Sequence, residues 1–254
     1  MNTWPDGVGR LILAETDSTN AEAVRRAQSG EPGPLWVMAQ RQAKGRARCG
    51  RRWQGGTGNL TASLLVRPQI TAETAALMSF VAALAAADTM ARIAPGAKIT
   101  LKWPNDALVN GRKACGILLE SGAKAGGRLG WLVIGVGVNL ASHPPAETLP
   151  ADAVTPTDLV AEGGTPTAPE PALDLLAAAM ATWSDRFRIE GFAPIREAWL
   201  SRAARLGQSV TASFSTGRIT GVFADVDASG ALVLNTPDGL RRIAAADIHF
   251  PEGV

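Results

Sequence analysis

Gln42-Ala43-Lys44-Gly45-Arg46-Ala47-Arg48-Cys49-Gly50-Arg51-Arg52-Trp53 is a cationic segment punctuated by glycine. Six positive charges fall between Arg41 and Arg52, with no acid among them. Leu35 to Ala39 before it and Asn59 to Val66 after it read as apolar strands, so the charges sit on a loop held between strands. Guanidinium groups offer paired donors to phosphate oxygens, and glycine backbone can approach a ligand closely. Taken alone, such a run also describes an exposed charged turn or a nucleic-acid contact. The remainder of the chain decides between these readings.

The 254 residues suit one large domain, or one domain and a small companion. A hydrophobic share of 46% supports a sizeable core, and a net charge of +2 makes the 41–52 segment a local concentration. A dedicated nucleic-acid binder would carry a broader basic face. Two cysteines (Cys49 and Cys115) and two histidines (His143 and His249) give neither a disulfide framework nor a zinc site, and point to a cytoplasmic location. Met1 to Glu15 has no basic segment followed by an apolar run, so no signal peptide is expected. The uncharged stretch Thr74 to Ala87 is expected to be too short for a bilayer, and to be a buried helix instead.

Along the chain, Arg10 to Glu15 reads as a strand. A helix follows through Ala23, Val24 and Ala27, with Thr19 and Glu22 placed as a capping box. A helix of roughly twenty residues is expected after Thr71, stopping near Pro95-Gly96. Ile99 to Trp103, Ala107 to Val109, Ala114 to Leu119 and Leu129 to Val138 read as strands, and Asn110-Gly111 is a hairpin turn. Residues 141–171 hold seven of the sixteen prolines and read as a long surface excursion with a short helix near Leu159. Leu173, Leu176, Met180, Trp183 and Phe187 recur at helical spacing, and Pro194 opens a second short helix through Trp199. After Arg205, four short strands (Val210 to Phe214, Gly217 to Asp225, Ala231 to Asn235, Leu240 to Ala244) describe a small all-β barrel.

Four further clusters each have an ordinary reading. Ser18-Thr19-Asn20 can be a helix cap, Trp103-Pro104-Asn105-Asp106 a turn, and Lys113 a solvated lysine after a hairpin. Gly135-Val136-Gly137-Val138-Asn139 can be a closely packed strand; it lacks the third glycine and the helix of a dinucleotide fingerprint. Together and in this order they resemble the biotin protein ligases. That pattern is an STN segment, a GRGRxGRxW loop, a KWPND turn, an RKxxGIL strand and a GxGxN strand. Here these are Ser18 to Asn20, Gly45 to Trp53, Lys102 to Asp106, Arg112 to Leu118 and Gly135 to Asn139. The second glycine of GRGR is Ala47, which would be strained if that position required positive φ.

The resemblance implies an α+β fold: a mixed-sheet catalytic domain of the biotin/lipoate ligase type over residues 1–204, with helices on one side of the sheet. A C-terminal SH3-like β-barrel would span 205–254. The STN segment begins at residue 18, which leaves no room for the N-terminal DNA-binding domain of family members that also repress transcription. The implied reaction joins biotin to ATP, with Mg²⁺, as biotinyl-5′-AMP. It then passes biotin to a lysine of a biotin carboxyl carrier protein domain. DNA and membrane are not expected partners, and the chain would be a monomer or homodimer.

By the same resemblance, Ser18, Thr19, Asn20, Gln42, Gly45, Arg46, Ala47, Arg48, Lys113 and Gly116 would contact biotin. Arg46, Arg48, Arg51, Trp53, Asn105, Lys113 and Asn139 would contact ATP or the adenylate. Lys113, Asp106, Arg48 and Arg51 would carry catalysis, with Asp106 either orienting the incoming lysine or coordinating Mg²⁺. The competing expectations are a lipoate or octanoate ligase or transferase of the same fold, and a non-catalytic biotin- or nucleotide-binding regulator.

Overall fold

The computed structural model describes residues 4–123, 126, 128–150, 152–214 and 217–250. Seven strands form the larger sheet: β1 (Gly9–Thr16), β2 (Leu35–Gln42), β3 (Leu60–Val66), β4 (Ile99–Lys102), β5 (Asp106–Val109), β6 (Arg112–Ala123) and β7 (Leu129–Val138). Their spatial order is β1-β2-β3-β7-β6-β5-β4. Only β1 and β2 run parallel, joined by helix α1 (Thr19–Gln28); the other pairs are antiparallel. Asn110 and Gly111 take φ of 49° and 82°, the left-handed pair that closes the tight β5–β6 hairpin.

Alternation along the strands divides the core. Trp36, Met38, Leu64, Leu132 and Ile134 point to one face, where they meet α3 (Met78–Ile93) and α4 (Pro169–Glu190). Leu35, Val37, Leu65 and Val133 point to the other, against Ala23 and Ala27 of α1. Helices therefore cover both faces, not one side as expected. A period of two sends every second residue of a strand to the opposite face, and the apolar stripe of α1 needs the face that the larger helices leave free.

Other expectations are also adjusted. The helix after Thr71 is two helices, α2 (Ala72–Ala76) and α3, with Leu77 at the junction. By length and composition the 22-residue run Ala72–Ile93 could cross a bilayer, but its apolar residues are largely buried in the core, as the buried-helix expectation for 74–87 has it. No helix forms at Leu159. Residues 159–163 make a hydrogen-bonded turn instead, with Asp158 Oδ1 accepting from the Ala161 amide. Nor is 141–171 wholly on the surface, since Thr157, Asp158 and Leu159 are buried.

Helix α5 (Phe192–Leu200) leads to a five-stranded antiparallel sheet of β8 (Ser209–Phe214), β9 (Gly217–Val226), β10 (Leu232–Thr236), β11 (Gly239–Ile243) and β12 (Asp247–His249). The order is β11-β10-β9-β8-β12, so the chain adds a fifth strand to the four read from sequence. Trp199 of α5 lies 5.3 Å from Phe80 and 6.4 Å from Phe223 between ring centroids, tying the two sheets into one apolar cluster. Trp103 Nε1 donates to the carbonyl of Gly230 across the same junction.

Candidate active site

Three rows of residues cross β3, β7 and β6 on the α1 face: Thr61–Gly137–Gly116, Ser63–Gly135–Leu118 and Leu65–Val133–Glu120. The third row lies under α1. Along the first two, glycine removes the side chains from β7 and leaves a trough. The N-terminus of α1 walls one side of this trough, and the cationic loop walls the other. Ser18, Thr19, Asn20, Gln42, Arg46, Ala47, Arg48, Lys113 and Gly116 all line the resulting pocket.

The inner end is polar and its amides are oriented. The Thr19 N–H donates to Gln42 Oε1 at 2.8 Å, which turns Gln42 Nε2 toward the loop. Asn20 Nδ2 donates to Glu120 Oε2 at 2.8 Å and to the Leu118 carbonyl at 3.3 Å. Asn20 Oδ1 then faces the Ser63 hydroxyl, 2.6 Å away. Thr19 is the first helical residue and not the cap, so the expected capping box with Glu22 does not form. Ser18 is the cap residue by backbone, without a side-chain bond, and its hydroxyl stays on the pocket wall. Glu22 instead pairs with Arg25 and Arg26. Asp17, just before the helix, accepts from the Ser18 amide and takes two bonds from Arg25. The Arg25 guanidinium holds the Asp17 carboxyl well below the usual range, against the opposing effect of burial.

The loop is a miniature hairpin. Arg46 bridges Arg52, the Ala47 N–H donates to the Arg51 carbonyl, and the Trp53 N–H donates to the Gly45 carbonyl. Ala47 takes φ −133° and ψ 177°, which any residue adopts, so the departure from glycine carries no backbone strain. The left-handed positions are Cys49 and Gly50, at φ 55° and 70°. Gly45 is needed for packing: a Cβ there would lie 2.5 Å from the Trp53 carbonyl oxygen. The Trp53 indole lies on the glycine row, where a Cβ at Gly137 or Gly116 would meet it at 2.5 or 2.9 Å.

At the outer end, the turn between β4 and β5 brings Lys102, Asn105 and Asp106 to the pocket mouth. Lys113 Nζ is 2.6 Å from Asp106 Oδ1 and Lys102 Nζ is 3.8 Å from Asp106 Oδ2. Burial opposes the Asp106 charge, but Lys113 and Lys102 outweigh it and lower its pKa. Lys102 is itself buried, which lowers its pKa, partly countered by Asp106. Asn105 donates to the Ile117 carbonyl at 2.8 Å, pinning the turn to β6, and its Oδ1 accepts from Arg48 at 3.3 Å. Its side chain thus holds an arginine in place.

Beyond this mouth a wider cleft runs to the C-terminal sheet, lined by Arg48, Arg51, Trp53, Asn139 and Asp247 among others. Arg51 lies here and not in the inner pocket, paired with Asp247 of β12 at 3.0 Å. Asn139 is buried and donates to the Thr157 carbonyl at 2.9 Å; among the described residues its Oδ1 has no hydrogen-bond partner, nor has Trp53 Nε1. Lys113 bonds through its backbone to Thr155 and Thr157, which places the proline-rich segment along the cleft. Among the described residues, no group of three or more His, Cys, Asp or Glu could hold a metal ion. Asp106 has two ammonium groups facing it, those of Lys113 and Lys102.

Sequence reasoning missed Glu120, Ser63, Lys102 and Asp247. Lys102 stood inside a quoted motif, and the others carried no signal, because a lone acid or serine on a strand looks like any surface residue.

Residues 12–139 match the family model for the Biotin/lipoate A/B protein ligase family, and 206–250 match that for the Biotin protein ligase C terminal domain. The chain is 46% identical over 240 residues to the biotin–[acetyl-CoA-carboxylase] ligase of Paracoccus denitrificans, covering 94% of this chain and 99% of that protein. It is 31% identical to the bifunctional ligase/repressor BirA of Bacillus subtilis, covering 94% of this chain and 72% of the relative. The fold is similar to the biotin protein ligase from Aquifex aeolicus solved in complex with biotin and ATP. The TM-score is 0.78 at 24% identity, over 94% of this chain and 97% of that one. With its motifs, trough and C-terminal sheet accounted for together, the chain belongs to the biotin/lipoate A/B protein ligase family.

Proposed function

We propose that this chain is an ATP-dependent biotin protein ligase that adenylates biotin and passes it to a lysine of the acetyl-CoA carboxylase carrier domain. The observation that carries the choice of acid is the oriented polar end of the trough. A ureido ring offers one acceptor and two donors, and Ser18, Thr19, Asn20 and Gln42 supply complementary groups there. The dithiolane of lipoate or the tail of octanoate would make no hydrogen bonds to those groups, and the bonds lost relative to a ureido ring discriminate against them.

In the first step a biotin carboxylate oxygen attacks the α-phosphorus of ATP, and the bond to the β-phosphate oxygen breaks to release pyrophosphate. An anion must approach a polyanion. Lys113 and Arg48, which reach both the inner pocket and the outer cleft, offset that repulsion and the charge that builds in transit. Arg46, whose side chain pairs with Glu120, keeps the loop across the trough, and Arg51, held by Asp247, stands ready to change partner when phosphates arrive. The free face of Trp53 and the open Oδ1 of Asn139 suit an adenine ring. Mg²⁺ would enter on the ATP phosphates and not on a carboxylate set of the protein. In the second step the acceptor ε-amine attacks the acyl carbon and AMP leaves. Asp106, an anion at neutral pH, orients the incoming ammonium and accepts its proton. The reading divides the chain near residue 204, with the catalytic unit before it and the SH3-like unit after it. Free cysteines at 49 and 115 suit a cytoplasmic enzyme.

The test is ATP–pyrophosphate exchange driven by biotin, beside lipoate and octanoate. Exchange with biotin alone is expected. Exchange with a fatty acid instead would move the chain to the lipoate branch, and none with any acid from folded protein would end the enzymatic reading.

A further inference from the structure

The acid on the third row, Glu120, ties the two walls of the pocket together. Its Oε2 accepts from Asn20 Nδ2 at 2.8 Å and its Oε1 accepts from Arg46 Nη1 at 2.9 Å. Asn20 belongs to the first turn of α1 and is buried. Arg46 belongs to the loop hairpin, and its guanidinium has no other hydrogen bond or ion pair among the described residues. A single carboxylate therefore holds one residue of the inner wall and one of the covering loop by two separate oxygens.

The first oxygen decides an orientation. An asparagine amide can be placed either way round, and its neighbours choose. Glu120 Oε2 and the Leu118 carbonyl are both acceptors, so they fix the Asn20 nitrogen on their side and turn Oδ1 toward Ser63 and the trough. The opposite placement would set the amide oxygen against a carboxylate. The second oxygen supplies the only counter-charge to Arg46 among the described residues, and so sets where the loop rests across the trough.

We infer that Glu120 is a positioning residue. It presents Asn20 Oδ1 as an acceptor for a ureido N–H, and through Arg46 it holds the loop closed over the acyl-adenylate. This inference rests on the biotin-pocket reading above.

The experiment compares the full-length protein with Glu120→Gln and Glu120→Ala. Biotin affinity is read by calorimetry, Michaelis constants by pyrophosphate exchange, and escape of preformed biotinyl-AMP by rapid dilution. Wild type is measured first, and its failure to bind biotin would remove the underlying reading and not this inference. Glu120→Ala should weaken biotin about tenfold or more, the loss expected for a charge-assisted bond, with the KM for ATP within about twofold. Glu120→Gln keeps an acceptor for Asn20 and loses the charge facing Arg46. Its biotin affinity should stay within about threefold of wild type, while the adenylate escapes several-fold faster. Wild-type biotin affinity in Glu120→Ala would overturn the inference, as would equal losses of biotin affinity in both variants. If Glu120→Ala does not fold, adenylate escape at the wild-type rate from Glu120→Gln overturns it alone.

Discussion

Lys113 Nζ stands 2.6 Å from Asp106 Oδ1 across the β5–β6 hairpin, with Lys102 on the second oxygen of the same carboxylate. On the proposed mechanism, the three charges in this partly enclosed mouth serve different steps. Lys113→Ala should lower the rate of pyrophosphate exchange by about 10²–10³, the usual cost of one charge-stabilising donor. Asp106→Asn should slow transfer from preformed biotinyl-AMP more than it slows exchange. Equal losses in both steps would reject the division of roles.

The same carboxylate predicts an acid response. Asp106 titrates below its unfolded value of about 3.9. Its stabilising contribution is therefore complete above that pH and is lost as the pH falls through the folded value. Urea unfolding between pH 5 and pH 2 should show the wild type losing stability more steeply than Asp106→Asn. At neutral pH the variant should already be weaker by about 3 kcal/mol, because two lysines are left facing a neutral amide. Parallel curves would show that Asp106 titrates normally in the fold.

Gly137 and Gly116 lie under the indole of Trp53. Gly137→Ala should expel the ring, shift tryptophan emission to longer wavelength, and cost about 1–3 kcal/mol as overpacking does. Exchange activity should fall with it. Unchanged emission together with full activity would mean that the indole does not rest on this row.

Ala47 sits in extended backbone, so restoring the family glycine relieves nothing. Ala47→Gly should loosen the loop by about 0.5–1 kcal/mol through unfolded-state entropy, seen as faster proteolysis within 45–53. Turnover should stay within about threefold. A large gain in activity would show that the methyl obstructs the pocket.

Much of this protein was legible in the order of its residues. Alternating apolar residues marked the strands, since a strand shows only every second residue to the core. Asn110-Gly111 marked its hairpin because few residues tolerate left-handed backbone. The spaced arginines, the Lys102–Asp106 turn and the Gly135–Asn139 strand together carried the resemblance to the biotin protein ligases, and that resemblance implied the chemistry. Such features are local, set by backbone sterics and by side-chain type within a few positions. What only the tertiary structure decided is which distant residues meet. Gly116 and Gly137 become one row because β6 and β7 pair in that register, and Ser63 reaches Asn20 because α1 folds onto the face the larger helices leave free. Glu120 serves both walls of the pocket only once residues a hundred positions apart are brought together. The Thr19–Glu22 cap failed for the same reason. Local geometry allowed it, but Gln42 from a neighbouring strand and the arginines at 25 and 26 offered those groups better partners.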